Sequence, residues 1–503
     1  MALTYLHRTP STTATNTKKA TFSYWTKISG IEIDDQAVWF GNEASNSQSN
    51  HRMLIMKQNN VSAGGANLLG SFAVQFQDAS GTATSSAGCQ LIGTYPIRDE
   101  TAWYHFVIAI DTTLSTESDR VKIWINGNRI TDFHQTYAYY PDQNLDMYYF
   151  NNQTGTNGTS PRQYVNYGKS GANGNLGGGT MLMSEVHAID GSAYDVSTFG
   201  SFNSSTGEWQ AKTSPSVSYG NNGFFLKFAD ASNLGLDSSG NGNNLTTQGT
   251  VKKTIDSPNN NFAVFDGTTL NKQSWGQEIK NSGTTLESSS TTNWEVTPIN
   301  YTLTKGKWYY EAKVTGSGTP LLMAGVVDYV QYSHNAQGTS RYIGDSSTTA
   351  NRAVGYYTIS SGASARVWTG GNAYTETGIA TFGVNDIVMI AIDLDNNKFY
   401  SGKNGTWNNS GDPTSGSTGT GAVDLEQNTA TTNYHGQVFW SVAGAARCVS
   451  SGTATIHFNF GNGMFGGTAV SSATTDATGY GTFEYTVPSG YYSICSKNID
   501  VYG

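Results

Sequence analysis

Charge is scarce in this chain. Asp, Glu, Lys and Arg make up 13% of it, about half the usual share of a globular protein. Its 28 basic residues face 37 acidic ones, for a formal net charge of −9, and they are thinly spread. A nucleic-acid binder needs a basic patch to displace counterions, so nucleic acid is not an expected partner. Cysteine is rarer still, at 3 residues. Cys89, Cys448 and Cys495 are odd in number and lack metal-ligand spacing, which reads as free thiols rather than a disulfide framework. No apolar run approaches the roughly 18 residues of a spanning helix. The start, Met1-Ala2-Leu3-Thr4-Tyr5-Leu6-His7-Arg8, lacks the charged and apolar regions of a signal peptide. Membrane insertion is therefore not expected, and folding in the cytoplasm of the producing cell is. Helical periodicity is missing too, since no window of about 10–15 residues carries a convincing 3.6-residue apolar repeat.

Ser, Thr, Asn and Gln are plentiful, with 58 Gly against 10 Pro and 12% aromatic residues. That mix suits many short strands joined by turns. At 503 residues the chain is too long for one sandwich and comfortable for two.

Two stretches echo each other. Trp103-Tyr104-His105-Phe106-Val107-Ile108-Ala109-Ile110-Asp111 precedes Arg120-Val121-Lys122-Ile123-Trp124-Ile125-Asn126-Gly127. Asp386-Ile387-Val388-Met389-Ile390-Ala391-Ile392-Asp393 precedes Lys398-Phe399-Tyr400-Ser401-Gly402-Lys403-Asn404-Gly405. Each reads as an apolar strand ending at an aspartate, a connection, an alternating strand and an Asn-Gly turn. Alternation of period 2 buries one face, and Asn-Gly accepts the positive φ of a tight turn. The expected fold is all-β, with two tandem antiparallel sandwiches. Pro and Asn in Asp256-Ser257-Pro258-Asn259-Asn260 break any ladder, which puts the domains at 1–255 and 256–503. The expected core includes Trp25, Phe106, Ile108, Ile110, Trp124, Trp308, Tyr310, Ile390, Ile392 and Phe460.

Catalytic signals are weak. Glu32-Ile33-Asp34-Asp35-Gln36 approaches a Glu-x-Asp-x-Glu strand motif of glycosidases, but Gln36 cannot cycle a proton as a carboxylic acid does. The histidines form no cluster, and His105 and His457 read as packed or edge residues. No zinc-protease helix, nucleophile elbow or phosphate loop occurs. An enzyme is not expected. Asp237, Asn241 and Asn243 put oxygen ligands on a Gly-rich turn, as calcium requires, and calcium is the one cofactor the sequence offers. The same residues form Asx turns, and that structural role is preferred.

Aromatic residues near loops are the better lead for binding, because sugar sites stack pyranose rings on Trp or Tyr and orient hydroxyls with Asn, Asp and Gln. Trp39, Tyr137, Tyr139, Tyr140 and Trp209 lie near expected loop ends of the first domain. Tyr332, His334, Tyr342, Trp368, Tyr374 and Trp407 flank Gly- and Asn-rich loops of the second. Trp407, next to the Asn404-Gly405 turn, and Trp368 are the favoured contacts. Any one of these rings is more often a strand-end packing residue than a contact.

Phe22-Ser23-Tyr24-Trp25, the 103–127 hairpin and Asp237-Ser238-Ser239-Gly240-Asn241-Gly242-Asn243-Asn244 give the first domain its resemblance to the laminin-G-like, concanavalin A-like jelly roll. The last motif stands at the end of the domain rather than beside the first strand. The second domain resembles a SPRY-type sandwich through Gly306-Lys307-Trp308-Tyr309-Tyr310-Glu311, the 386–405 hairpin, Gln437-Val438-Phe439-Trp440-Ser441-Val442 and Thr455-Ile456-His457-Phe458-Asn459-Phe460-Gly461. The pairing, with the closing Cys495-Ser496-Lys497-Asn498-Ile499-Asp500, is similar to a group of virion proteins of marine tailed bacteriophages. That resemblance implies a non-enzymatic particle component, a tail-fibre, adsorption or surface-decoration protein, that binds host surface carbohydrate and other virion proteins. A purely structural capsid or tail component is the alternative, and a glycan-cleaving enzyme the remote one. Virion positions are symmetric, so a homo-oligomer is expected, with a trimer as first guess.

Overall fold

A computed structural model describes residues 4–28, 35–43, 53–58, 62–63, 66–67, 71–76, 88–97, 99–147, 162–166, 169–170, 181–212, 214–267, 276–330, 343, 353–358, 365–369, 374–375, 379–425 and 438–503. The chain divides into two compact units, Met1–Lys253 and Thr254–Gly503. Both are all-β, built of antiparallel sheets.

In the first unit, one sheet runs in the order Asn128–Ile130, Val121–Ile125, Trp103–Asp111, Lys19–Ile28, Met181–Asp190 and Phe224–Leu226. The facing sheet has Phe133–Tyr139 at one end and continues through Cys89–Pro96, Ser71–Phe76, Met53–Gln58 and Asp35–Glu43 to Arg162–Val165, Tyr5–Arg8 and Thr246–Gln248. Between them lie Phe22, Tyr24, Phe72, Phe106, Ile108 and Ile110. In the second unit, Lys307–Gly316 sits between Ala454–Asn459 and Ile387–Asp393, the latter followed by Lys398–Lys403 and Thr406–Trp407. Its facing sheet centres on Trp440–Cys448 and Pro320–Asp328. Trp308, Tyr310, Ile390, Ile392, Trp440 and Phe460 fill the space between.

The echoing stretches fold into the same device. Asn126 and Asn404 take φ of 47° and 49°, and Gly127 and Gly405 take 80° and 86°, as a two-residue hairpin turn requires. Each asparagine also ties the turn to the first strand. The Oδ1 of Asn126 accepts from His105 N at 2.7 Å, and that of Asn404 from Ile387 N at 2.8 Å. At the other end the aspartate pairs with a lysine that opens the neighbouring strand: Lys19 with Asp111 at 2.9 Å, Lys307 with Asp393 at 3.0 Å. Both pairs are register partners across the strands.

All the expected core residues are buried, but not all for the expected reason. Alternation fails on Ile387–Asp393, where every residue is buried. A strand reads that way when both of its faces are covered. In the first unit, Val196, Phe199, Tyr194, Trp209, Val217 and Tyr219 form an outer layer over Val107, Ala109 and Trp124. In the second, Phe483, Val487 and Tyr491 cover Tyr309, Met389, Ala391 and Tyr400. Trp25 and Trp124 therefore belong to the outer side of their sheet and not to the space between sheets. Each large side chain buried this way contributes about 1.5–3 kcal/mol relative to exposure.

Candidate binding cleft

The Asn126-Gly127 turn sets Trp124 directly opposite Arg129, and cross-strand neighbours on one face touch. The Arg129 guanidinium lies 5.1 Å from the Trp124 ring centroid, and its Nη2 donates to the Ser118 carbonyl at 3.1 Å. Its Nη1 is sheltered and makes no hydrogen bond. A buried donor left in that state costs free energy until an acceptor reaches it. Burial lowers the Arg129 pKa, and Tyr140, Asp119 and Asp195 oppose that shift. Lys122, one turn of the pleat from Trp124, pairs with Asp119 at 3.4 Å.

These groups line an open cleft of about 490 Å³ on the outer face of the first unit. Ser118 and Asp119 come from the 3₁₀ turn Glu117–Asp119, and Asp195 caps the turn Val196–Thr198 by accepting from Ser197 N at 3.1 Å. Tyr140 and Thr131 close the remaining sides. Burial pushes the Tyr140 hydroxyl pKa up, opposed by Arg129. The volume is within the ~300–1,000 Å³ of small-molecule sites.

Of the aromatics expected at binding loops, Tyr140 lines this cleft, and Tyr139 is 41% exposed on the neighbouring strand without lining it. Tyr137 lies on that strand against His134, ring centroids 5.6 Å apart. Trp209 turns inward instead. Its Nε1 donates to His105 Nδ1 at 2.8 Å, and its ring covers Gly127 and Gly200, where a Cβ would collide with it. Trp407 is half-buried, packing edge-on against Tyr309 at 6.3 Å and over Gly402. Gly402 faces Met389 as Trp124 faces Val107, so Trp407 fills from the next strand the space that Trp124 fills in the first unit. Tyr332, His334 and Tyr342 lie outside the described residues. Trp39, Trp368 and Tyr374 belong to the strands Asp35–Glu43, Ala365–Thr369 and Tyr374–Thr375, but their side chains lie outside the described part. Glu32 and Asp34 are outside it too, while Asp35 and Gln36 pair with Ser170 and Lys169.

Asp237, Asn241 and Asn243, offered as calcium ligands but preferred as Asx turns, form a latch. Asp237 Oδ1 accepts from Phe225 N at 2.9 Å and Ser239 N at 2.8 Å, and its Oδ2 from the Ser239 hydroxyl and Asn243 N, both at 2.8 Å. Asn241 and Asn243 each turn their Nδ2 toward the Gly223 carbonyl. Asn243 Oδ1 accepts from the Arg8 guanidinium at 2.6 Å, and Asn244 Oδ1 accepts from Asp237 N at 2.8 Å. A cation there would find these oxygens committed to N–H and O–H donors and a guanidinium beside it. Among the described residues no group of three or more His, Cys, Asp or Glu is placed to hold a metal ion. The three cysteines are free and buried.

Ionisable groups under the outer layers are held in unusual states. His105 receives the Trp209 N–H on Nδ1, so its Nε2 carries the proton and donates to Ser23 Oγ at 2.9 Å. Burial drops its pKa to about 3, and His187, bonded to the Tyr219 hydroxyl at 2.8 Å, falls to about 3 by burial as well. In the second unit Glu311 accepts from Glu484 N at 2.9 Å, Tyr485 N at 2.8 Å and the Tyr309 hydroxyl at 2.9 Å. Burial outweighs these bonds and raises its pKa to about 7. These are polar fastenings of the covers. Sequence inspection missed the covers because their apolar residues are strung through polar, Gly-rich segments without period.

No family model matches the chain. No curated protein matches it either. Among solved structures it is similar to the SPRY domain of human HERC1, at 11% identity and a TM-score of 0.23 over 39% of this chain and 96% of that one. The TRIM65 PSpry domain is similar at 13% identity and a TM-score of 0.24, over 39% and 88%. A heptameric SAP-like pentraxin from Limulus polyphemus is similar at 12% identity and a TM-score of 0.25, over 42% and 87%. Each spans less than half of this chain, and the all-β class rests on the sheets themselves.

Proposed function

We propose that this protein is a non-enzymatic component of a bacteriophage particle that recognises carbohydrate on the host surface, with the first sandwich carrying the recognition. The observation that carries this reading is the outer cleft, where Trp124, Arg129 and Tyr140 meet the carboxylates of Asp119 and Asp195 in about 490 Å³. Planar and aromatic groups beside fixed hydrogen-bonding groups are what a sugar needs. The resemblance of the paired domains to virion proteins of marine phages supports the setting, and a symmetric homo-oligomer would multiply a weak contact.

A second reading, a structural subunit that binds only other virion proteins, is favoured by Trp209 and Trp407, whose rings serve packing. Particles carrying Lys122→Gln separate the two. Normal copy number with reduced adsorption to host cells supports recognition. Reduced copy number, or normal copy number with unchanged adsorption, supports the structural role. Subunit stoichiometry in the same purified particles tests the trimer.

A further inference from the structure

We infer that the cleft selects a neutral pyranoside through vicinal hydroxyls, each shared between a carboxylate and a cationic donor; this rests on the carbohydrate reading and narrows it to a ligand class. The charges around the cleft cancel, with Asp119 and Asp195 against Lys122 and Arg129. Lys122 and Asp119 are already within 3.4 Å of each other. A hydroxyl donates one hydrogen bond and accepts others, so it can bridge such a pair without unbalancing it. An anionic sugar would find no net positive charge to hold it, because the two carboxylates offset the two cations.

Arg129 lines the cleft and holds a donor, Nη1, that is sheltered from solvent and makes no hydrogen bond within the protein. Its guanidinium plane is fixed by the Ser118 carbonyl and the Trp124 ring, so little freedom would be lost on binding. Trp124 is only 6% exposed and acts as a support. The half-buried Tyr140 is the ring left to face a sugar.

The test is calorimetric titration of the full chain with the methyl glycosides of glucose, mannose and galactose, and with methyl glucuronide, at low and high salt. Asp119→Asn and Lys122→Gln are the variants. Both side chains are partly exposed, so unchanged melting should confirm that the fold survives. The expected result is that at least one neutral glycoside binds, with little salt dependence, and that each variant weakens it about tenfold, the scale of losing a hydrogen bond to a charged group. Tighter, salt-sensitive binding of the glucuronide would overturn the neutral class. Neutral glycosides binding both variants as they bind the wild type would overturn the location. If no glycoside binds but isolated host polysaccharide does, this inference fails and the carbohydrate reading stands. If neither binds, both fail.

Discussion

Acidification from pH 7 to pH 5 should move the two units in opposite directions. In the first unit, His105 and His187 are buried neutral, with pKa values near 3 against an ordinary 6.5. A group whose folded pKa is depressed leaves the unfolded chain to take up the proton first. Stability is therefore present above about pH 6.5 and drains away as pH falls towards 3. At pH 5 the unfolded histidine gains about 2 kcal/mol of protonation that the folded one lacks, so the pair costs the first unit about 4 kcal/mol. Glu311 in the second unit has the other sign. Its folded pKa of about 7 stands above the ordinary 4.5, so the folded state holds the proton more tightly. That contribution is complete below 4.5 and is lost as pH rises through 7, which makes the second unit about 2 kcal/mol more stable at pH 5 than at pH 7 from this group. Scanning calorimetry of the whole chain should show one transition falling and the other rising or holding. Glu311→Gln should flatten the second, and His187→Phe should roughly halve the slope of the first. Two transitions that fall together by similar amounts, or a first-unit transition that stays put between pH 7 and 5, would refute the buried neutral histidines and the cover that buries them.

Trp407→Ala should lower the melting temperature of the second unit, costing about 2–3 kcal/mol, because it opens a gap against Tyr309 and Gly402; a thermal scan with no shift would mean the ring is free of that packing. Millimolar calcium should leave the melting of the first unit unchanged, whereas Asp237→Ala should cost about 3 kcal/mol or more by stranding Phe225 N, Ser239 N and Asn243 N; a calcium-dependent rise would show a site in place of the latch. Asn404→Ala should destabilise the second unit by about 1–2 kcal/mol in urea titration, because it loses the bond to Ile387 N and must hold φ of 49° without the tolerance of asparagine.

The hairpins were legible because a two-residue Asn-Gly turn leaves one register, and that register brings Phe106, Ile108 and Ile110 to one side. Trp25 and Trp124 were legible as buried but not as outward-facing, since burial beneath a cover and burial between sheets look alike in an apolar strand. The covers themselves carry Phe199, Phe483 and Tyr491 at irregular spacing, so no period announces them. The cleft draws residues from 118 to 195, a separation that no local motif spans. One signal was available: a two-residue turn at Asn126-Gly127 requires Trp124 to face Arg129, and an arginine over a tryptophan on an edge hairpin merits inspection. Asp237-Ser238-Ser239-Gly240-Asn241 suggested metal and structure equally, and only the direction of its oxygens separates them.

Carbohydrate recognition is tested most directly by binding of the purified protein to intact host cells and to cells treated with periodate, which cleaves vicinal diols of sugars and leaves proteins largely in place. Binding that is lost after periodate, and that isolated host polysaccharide competes away from untreated cells, is the expected result. Binding that survives periodate and ignores the polysaccharide would contradict it.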